Sequence, residues 1–206
     1  MSLRIALTKG RLEKECVKLF ERIGYDCEVL KDKGRRLILP VGEMEAVLAK
    51  PSDVITYVTH GVCDVGVVGK DTITETGGRF YEVADLGFGK CRFAVAAKAG
   101  SNVYNGSGRK IIATKYPNVA RAFFDGKGMD IEIVKIEGSV ELAPLLGLTD
   151  AIVDLVETGA TLRENGLVVV EDIFEVSARL IVNTASMKLK QKEIDKFIEA
   201  VTTNLL

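Results

Sequence analysis

The sequence has few of the residues that build disulfide frameworks, metal clusters or histidine-based active sites. Its 206 residues contain a single histidine, His60. A triad or metal site built on histidine is therefore disfavoured, and His60 is better explained as a structural residue at a helix end. The four cysteines are Cys16, Cys27, Cys63 and Cys91. They show no CxxC spacing, which favours reduced and mostly buried thiols over a disulfide or metal set.

A strong net charge and long apolar runs are absent as well. The formal net charge is -1, which argues against a general nucleic-acid binder, so any bound polyanion must meet a local cluster of cations. No apolar stretch is long enough to span a bilayer, and the N-terminal one is too short for a signal peptide. With 47% hydrophobic and 28% charged residues, the composition predicts a soluble, cytoplasmic globular protein of one large or two small domains.

Short apolar segments alternate with amphipathic ones along the chain. Strands are predicted at LRIALT, CEVL, RRLILP, DVGVV, FYEVADL, RFAVAA, KIIAT, IEIVKI, AIVDLV, LVVVEDIF and ARLIVN. Helices are predicted at GRLEKECVKLFERIG, PSDVITYVTHG with Ser52 as its N-cap, PNVARAFFDG, SVELAPLLG, TLRENG and the C-terminal segment. This alternation predicts an α/β fold with largely parallel sheets, in two halves that meet near Gly87 and Gly89.

One loop, ETGAT at residues 157–161, has the composition of a phosphate-binding turn. It follows a predicted strand and precedes a helical turn, where unpaired N–H groups point outward. Gly159 allows close backbone approach to an anion, and Thr158 and Thr161 offer hydroxyl donors. Asp154, just upstream, suits sugar hydroxyls or water-bound Mg²⁺. The alternative is a tight strand-to-helix turn with a capping threonine, and spacing alone leaves both interpretations open.

A second strand-to-helix junction, TKGRL, places Lys9 and Arg11 on either side of Gly10. Two cations at a helix N-terminus oppose the helix dipole, so an anion between them would remove the conflict. The alternative is a pair of solvated surface charges.

Two further segments are weaker indications. CDVGVVGKD contains Asp64, Gly66, Gly69 and Lys70, but glycines at a strand exit are usually turn residues. In GSVELAP, helix capping accounts for Glu141, so a metal role for this residue is the minority interpretation.

Taken in order, ALTKGRL, DVGVVGKD, IATKYPNVAR, GSVELAPLLGLTDAIVDLVETGATL and RLIVN closely resemble the short form of ATP phosphoribosyltransferase across nearly the whole chain. That family joins N1 of the ATP adenine to C1 of phosphoribosyl pyrophosphate and releases pyrophosphate, the first step of histidine biosynthesis. The resemblance implies two α/β domains of type II periplasmic-binding-protein architecture, with the active site in the interdomain cleft. Domain I would comprise residues 1–90 and 179–206, and domain II residues 91–178.

The resemblance also implies roles for the residues in these segments. Phosphoribosyl pyrophosphate would be held by Asp154, Glu157, Thr158, Gly159, Ala160 and Thr161. Catalytic cations would be Lys9, Arg11 and Lys50, and the nucleotide would be bound by Gly10, Asp64, Gly66, Gly69 and Lys70. Mg²⁺ is the expected cofactor, with Asp154 and Glu141 as candidate ligands.

Lys50 marks a departure from the family pattern. Many members carry arginine before the proline of RPxDV, whereas this chain has AKPSDV. Lysine supplies a point charge without a planar fork, so a bidentate grip on pyrophosphate is in doubt there. Arg35 or Arg36 could supply the fork.

The implied reaction fits the residue inventory, because displacement at an anomeric carbon chiefly requires alignment and stabilisation of the leaving pyrophosphate. The resemblance further implies a separate regulatory subunit, a catalytically inactive relative of histidyl-tRNA synthetase, in a hetero-oligomer. No nucleic acid or membrane partner is expected. Two alternatives stay open: a two-lobed binding or sensor domain without turnover, and a phosphoribosyltransferase for a different base.

Overall fold

A computed structural model describes residues 2–105 and 108–205 of the chain. Its strands are β1 Arg4–Thr8, β2 Ile38–Val41, β3 Met44–Ala49, β4 Val65–Gly69, β5 Phe80–Asp85, β6 Cys91–Lys98, β7 Lys110–Thr114, β8 Ile131–Lys135, β9 Ala151–Val156, β10 Leu167–Val176 and β11 Ala178–Asn183. Its helices are α1 Arg11–Arg22, α2 Glu28–Lys31, α3 Pro51–Thr59, α4 Lys70–Thr76, α5 Pro117–Gly126, α6 Leu142–Leu145, α7 Ala160–Glu164, α8 Ser186–Leu189 and α9 Gln191–Thr203.

The chain folds into two compact units, each built around one sheet. Unit 1 comprises Met1–Lys90 and Ser177–Leu206, and unit 2 comprises Cys91–Val176. In the described residues, no helix has the length and apolar character needed to cross a bilayer. Each unit combines helices with a sheet of its own, so the α/β prediction is confirmed.

Unit 1 contains a six-stranded sheet in the order β2-β3-β1-β4-β11-β5. The central strands β3, β1 and β4 are parallel, with Thr8 opposite Ala49 and Leu7 opposite Val67. Strand β11 lies antiparallel between β4 and β5, so the last strand of the chain completes the sheet begun by the first. The carboxyl ends of the three parallel strands lie at one edge of this sheet.

Helices α1 and α9 belong to unit 1 and pack against its sheet through their apolar faces. Helix α1 buries Cys16, Leu19 and Phe20, whose spacing of three and one places them on one side of a helix. Helix α9 buries Ile194, Phe197 and Val201 in the same way. The predicted C-terminal amphipathic helix is thus confirmed, and it contributes to the same core as β1 and β4.

Unit 2 contains a five-stranded sheet in the order β10-β6-β9-β7-β8. Strands β9, β7 and β8 are parallel, whereas β6 and β10 are antiparallel additions. Phe93 and Phe124 are fully buried on one face, and α6 and α7 pack on the other through Ala143 and Leu162. The prediction of largely parallel sheets holds for three strands of each sheet, since antiparallel strands extend the unit 1 sheet at both edges and the unit 2 sheet only beyond β9, through β6 and β10.

Two local predictions are wrong. CEVL forms the single helical turn α2 instead of a strand: Cys27 and Leu30, three residues apart, are both buried, and the Asp26 carboxylate accepts the Glu28 N–H at 3.0 Å. Helix α3 begins at Pro51 with Lys50 as its N-cap, so Ser52 lies inside the first turn. A proline at the first helical position loses no hydrogen bond, which favours this start.

The cysteines match the expectation of free thiols. None of the four forms a disulfide, and Cys16, Cys27 and Cys63 are buried. Burial raises the pKa of Cys27 to about 11 and that of Cys63 to about 11, so these thiols stay protonated at neutral pH. His60 occupies the C-cap of α3, as predicted for a residue at a helix end.

Candidate functional site

In unit 2, the end of β9 and the loop after it form a pocket together with Glu141, which comes after β8 in the chain. Because β9, β7 and β8 run in the same direction, their carboxyl ends meet at one edge of the sheet. A pocket of about 220 Å³ opens there, lined by Glu141, Asp154, Leu155, Val156, Glu157, Thr158, Gly159, Ala160, Thr161 and Leu162. Every residue predicted to hold phosphoribosyl pyrophosphate therefore lines this pocket together with Glu141, the second candidate metal ligand.

The loop after β9 is shaped by Gly159. This residue adopts φ 71° as the N-cap of α7, a left-handed conformation that strongly favours glycine. The Ala160 N–H donates to Thr158 Oγ1 at 3.3 Å, and Arg163 Nη1 donates to the Thr158 carbonyl at 2.9 Å. Helix α7 leaves the N–H groups of its first turn without intrahelical acceptors. The loop therefore combines backbone donors and hydroxyls at the pocket wall.

Asp154 lies in the fourth position of β9 and is half-buried. Its pKa is raised to about 6, mainly by burial and also by the nearby Glu141 carboxylate, although the Leu155 N–H and the Lys115 ammonium lower it. A carboxylate that loses solvent without gaining enough partners is costly to ionise. Such a group is a candidate for binding a ligand that supplies hydrogen-bond donors or positive charge.

Glu141 and Asp154 form the acidic part of the pocket. Glu141 occupies the N-cap position of α6, whose helix begins at Leu142, so the predicted start at Ser139 is three residues early. The described residues contain no group of three or more metal-ligating side chains. Two carboxylates still suit Mg²⁺, because this ion keeps several waters and takes further ligands from substrate phosphates.

Lys115 is a cation near Asp154 to which the sequence predictions gave no role. It directly follows β7, and its charge acts on both Asp154 and Glu137. Its place between a strand and Pro117, which begins α5, is a pattern in the sequence that could have marked it as a candidate site residue. Its proximity to Asp154, however, depends on the pairing of β7 with β9.

Unit 1 gathers the predicted cations at the carboxyl edge of its own parallel strands. The Lys9 N–H donates to the Ala49 carbonyl at 3.0 Å, so Lys9 and Lys50 follow paired residues of β1 and β3. Gly10, with φ 96°, is the N-cap of α1, and Arg11 begins that helix. Lys9, Gly10, Arg11 and Lys50 are all exposed.

Glu13 changes the electrostatic interpretation of the α1 start. Its buried carboxylate accepts the Gly10 N–H at 3.2 Å and forms an ion pair with Lys33. An acidic residue in the first turn offsets the dipole conflict that Lys9 and Arg11 create. The loop that contains Lys33 also contains Arg36, whose guanidinium donates to the Asp32 carbonyl at 2.8 Å.

The remaining four predicted residues of unit 1 lie at three places along β4. Gly69 ends β4 and Lys70 begins α4, at the same edge as Lys9; the Lys70 ammonium pairs with Glu82 at 2.6 Å. Gly66 lies within β4, where an added Cβ would approach Val58 Cγ2 to 2.7 Å. Its lack of a side chain is therefore explained by the packing of α3.

Asp64 precedes β4 and lies at the opposite, amino-terminal edge of the sheet. Its carboxylate accepts the Arg4 N–H at 2.9 Å, the Ser186 hydroxyl at 2.7 Å and the Lys190 ammonium at 2.7 Å. Burial raises the pKa of Asp64, but these partners outweigh it and hold the pKa below its ordinary value. The structure thus gives Asp64 a role in the fold, away from the other predicted site residues.

Comparison with known proteins identifies close relatives. A family model described as ATP phosphoribosyltransferase matches residues 50–203. The chain is 60% identical to an ATP phosphoribosyltransferase of Clostridium kluyveri over 98% of this chain and 94% of that protein. It is 57% identical to one of Clostridium acetobutylicum over 97% of this chain and 94% of that protein.

Solved structures show the same similarity in three dimensions. An ATP phosphoribosyl transferase (HisG:HisZ) complex from Thermotoga maritima matches with a TM-score of 0.84 and 32% identity, over 98% of this chain and 97% of that chain. The VFT2 domain of Bordetella pertussis BvgS matches with a TM-score of 0.60 and 10% identity, over 100% of this chain and 88% of that one. The second match concerns the fold alone.

Proposed function

The chain belongs to the ATP phosphoribosyltransferase family, and from this premise we propose which residues bind the substrates. The enzyme joins N1 of the ATP adenine to C1 of phosphoribosyl pyrophosphate, releases pyrophosphate and thereby begins histidine biosynthesis. The observation that carries the assignment of residues is the unit 2 pocket. There a glycine-shaped turn with two threonines adjoins a half-buried carboxylate that is costly to ionise.

In this proposal the turn at residues 157–161 binds the 5′-phosphate of phosphoribosyl pyrophosphate. The hydroxyls of Thr158 and Thr161 donate to phosphate oxygens, and the backbone at Gly159 and Ala160 approaches them closely because no Cβ intervenes at Gly159. Asp154 accepts hydrogen bonds from the ribose hydroxyls. Glu157, the first residue of the turn, contributes from the same wall of the pocket.

Enzymes of this family use metal ions, and we propose Mg²⁺ here. Asp154 and Glu141 would hold the ion, directly or through water, because carboxylate oxygens are suitable ligands for Mg²⁺. When bound, the ion would neutralise charge on the diphosphate of the substrate. The protein's own part is to orient the ribose and to keep two carboxylates beside it.

Unit 1 contributes the exposed cations of its carboxyl edge. Lys9, Arg11 and Lys50 are proposed to contact substrate phosphates and the departing pyrophosphate, and Gly10, Gly69 and Lys70 to contact the nucleotide. Asp64 and Gly66 are left out of the site because structural contacts account for both. The functional domains are proposed to follow units 1 and 2.

The reaction needs alignment more than covalent catalysis. Displacement at C1 of the ribose develops positive charge on the sugar and negative charge on pyrophosphate, so cations near the leaving group stabilise the transition state. The buried cysteines, with raised pKa values, are unsuited to act as nucleophiles. The N1 atom of adenine itself attacks C1 of the ribose. The N1–C1 bond forms as the bond between C1 and the diphosphate oxygen breaks, and pyrophosphate leaves.

The test combines turnover with direct binding. We expect Mg²⁺-dependent formation of the adduct, followed by absorbance, with ATP but not with free purine or pyrimidine bases. Thr161→Val should weaken phosphoribosyl pyrophosphate binding by about 1.5 to 3 kcal/mol, as expected for a lost hydrogen bond to a charged group, and leave ATP binding unchanged.

The matched control is Thr202→Val, which removes a hydroxyl bonded only within helix α9. Binding without turnover would instead support a sensor domain, and turnover with a free base would support a different transferase. An unchanged calorimetric affinity in folded Thr161→Val would contradict the phosphate assignment.

The Thermotoga maritima neighbour is described as a HisG:HisZ complex, and we propose a comparable assembly for this chain. A histidyl-tRNA-synthetase-like subunit would then carry the response to histidine in the cytoplasm. We expect the purified chain to be weakly inhibited by histidine, and inhibition to strengthen when the partner raises the mass measured by light scattering. Strong inhibition of the chain alone, with no change on adding the partner, would rule this out.

A further inference from the structure

The unit 2 pocket has an electrostatic imbalance for a site that binds phosphate. Three of its lining residues, Glu141, Asp154 and Glu157, carry carboxylates. Phosphoribosyl pyrophosphate is itself strongly anionic, so binding would bring like charges together unless cations lie nearby. Arg163 is close, but its guanidinium donates to the Thr158 carbonyl at 2.9 Å and so supports the shape of the turn.

The strand register brings a second cation close to Asp154, one of the residues that line the pocket. Strands β7 and β9 are parallel neighbours in which Thr114 pairs with Val153. Lys115 directly follows Thr114 at the end of β7, and Asp154 directly follows Val153 in β9, so the register places the two residues next to each other. Lys115 is exposed, and its charge acts on the Asp154 carboxylate.

A small side chain flanks Asp154 in the sheet, and a lysine that is already ion-paired ends the strand on the other side of β7. On the far side of β9, the residue paired with Asp154 is Ala94, whose side chain is small and fully buried. On the other side of Lys115, β8 continues into Ile136, whose N–H donates to the Thr114 carbonyl at 3.1 Å. Lys135, the last residue of β8, already pairs with Glu137 at 2.8 Å.

We propose that the Lys115 ammonium contacts the diphosphate of phosphoribosyl pyrophosphate and is a further substrate-binding residue of the enzyme. This inference rests on the proposed location of the ribose at Asp154. If the 5′-phosphate lies on the turn after β9, C1 and its diphosphate extend towards the neighbouring strand β7. Adjacent strands are about 4.8 Å apart, a distance that the four-carbon side chain of lysine spans.

The test separates the diphosphate from the rest of the substrate. Phosphoribosyl pyrophosphate and ribose 5-phosphate, which lacks the diphosphate, are titrated by calorimetry in the presence of Mg²⁺. Lys115→Met should weaken phosphoribosyl pyrophosphate binding about tenfold or more and leave ribose 5-phosphate binding unchanged. Lys115→Arg should restore most of the affinity.

Lys98→Met is the matched control, because Lys98 is an exposed lysine at the end of β6, which runs antiparallel to β9. It should change neither affinity. Equal weakening of both ligands by Lys115→Met, or no weakening, overturns the inference. If Thr161→Val leaves both ligands unaffected while Lys115→Met weakens phosphoribosyl pyrophosphate alone, the phosphate assignment to the turn fails and the role of Lys115 stands.

Discussion

Asp64 in unit 1 directly precedes the parallel strand β4 and Asp154 in unit 2 lies within the parallel strand β9, yet the surroundings of the two carboxylates shift their pKa values in opposite directions. Asp64 is 5% exposed and accepts three hydrogen bonds, one of them from the Lys190 ammonium. Its pKa lies below the ordinary value despite burial. Burial raises the pKa of Asp154 to about 6, and its neighbours do not compensate.

The difference between the surroundings of Asp64 and Asp154 indicates which of the two carboxylates is available to bind a ligand. A carboxylate whose acceptor sites are filled stabilises the fold and has little capacity for a ligand. A carboxylate that is costly to ionise lowers stability, and a ligand that supplies donors or a cation removes that cost on binding. Asp64, at the amino-terminal edge of the unit 1 sheet, is a carboxylate of the first kind. Asp154, near the carboxyl edge of the unit 2 sheet, is one of the second kind.

Asp154→Asn tests the second half of this comparison and should have the largest effect. If Asp154 binds the ribose hydroxyls as proposed, loss of this charged acceptor should lower kcat/KM by about 100-fold or more. Because the folded pKa of Asp154 lies above that of an unfolded carboxyl, ionisation costs stability as pH rises from about 4 to 6.

At pH 8 the Asp154→Asn variant should therefore be more stable than the parent by about 1 to 3 kcal/mol, and at pH 4 this gain should vanish. Urea unfolding at both pH values measures the difference. A variant that loses stability at pH 8 would show that Asp154 resembles Asp64 after all.

Asp64→Asn tests the first half. Removal of one partner from a buried ion pair should lower the free energy of unfolding by about 3 kcal/mol, with kcat unchanged per folded molecule. Since the folded pKa of Asp64 is lowered, its stabilisation is present above pH about 4 and is lost as pH falls further.

The control for Asp64→Asn is Asp172→Asn, which breaks the exposed pair with Arg92 and should cost about 0.5 kcal/mol. Unfolding by urea at pH 7 and steady-state assays distinguish the two roles. A normal Tm together with lost ATP binding would return Asp64 to the nucleotide site.

Gly66→Ala extends the comparison to a residue without charge. Its Cβ would meet Val58 Cγ2 at 2.7 Å and Val54 Cγ1 at 3.0 Å, so we expect a loss of about 1 to 3 kcal/mol of stability from overpacking. The KM for ATP should not change. A raised KM with unchanged stability would indicate that the glycine faces nucleotide.

Lys50→Arg should have the smallest effect. If Lys50 faces the leaving pyrophosphate, arginine should retain or slightly improve the single-turnover rate because its fork binds two oxygens. Lys50→Ala should slow that rate more than it weakens ground-state binding. Rates equal to the parent in both variants would remove Lys50 from the site.

Local patterns predicted much of the architecture. The helical spacing in α1 and α9 and the apolar strands β4 and β9 are confirmed because each is set by neighbouring residues along the chain. The strand prediction for CEVL was wrong because a four-residue segment of this kind is compatible with either a strand or a helical turn. The packing of Cys27 and Leu30 favours the helical turn.

Patterns of neighbouring residues were enough to predict the alternating strands and helices, the glycine-shaped turn after β9 and the position of Lys9 and Arg11 at a helix start, because each is set within a short segment. Three features depend on the fold of the whole chain: Asp64 is neutralised by Lys190, 126 residues away, Gly66 packs against α3, and Lys115 neighbours Asp154. Strand order and register bring distant residues together, and the charges and contacts that separate a structural aspartate from a functional one arise only from that pairing.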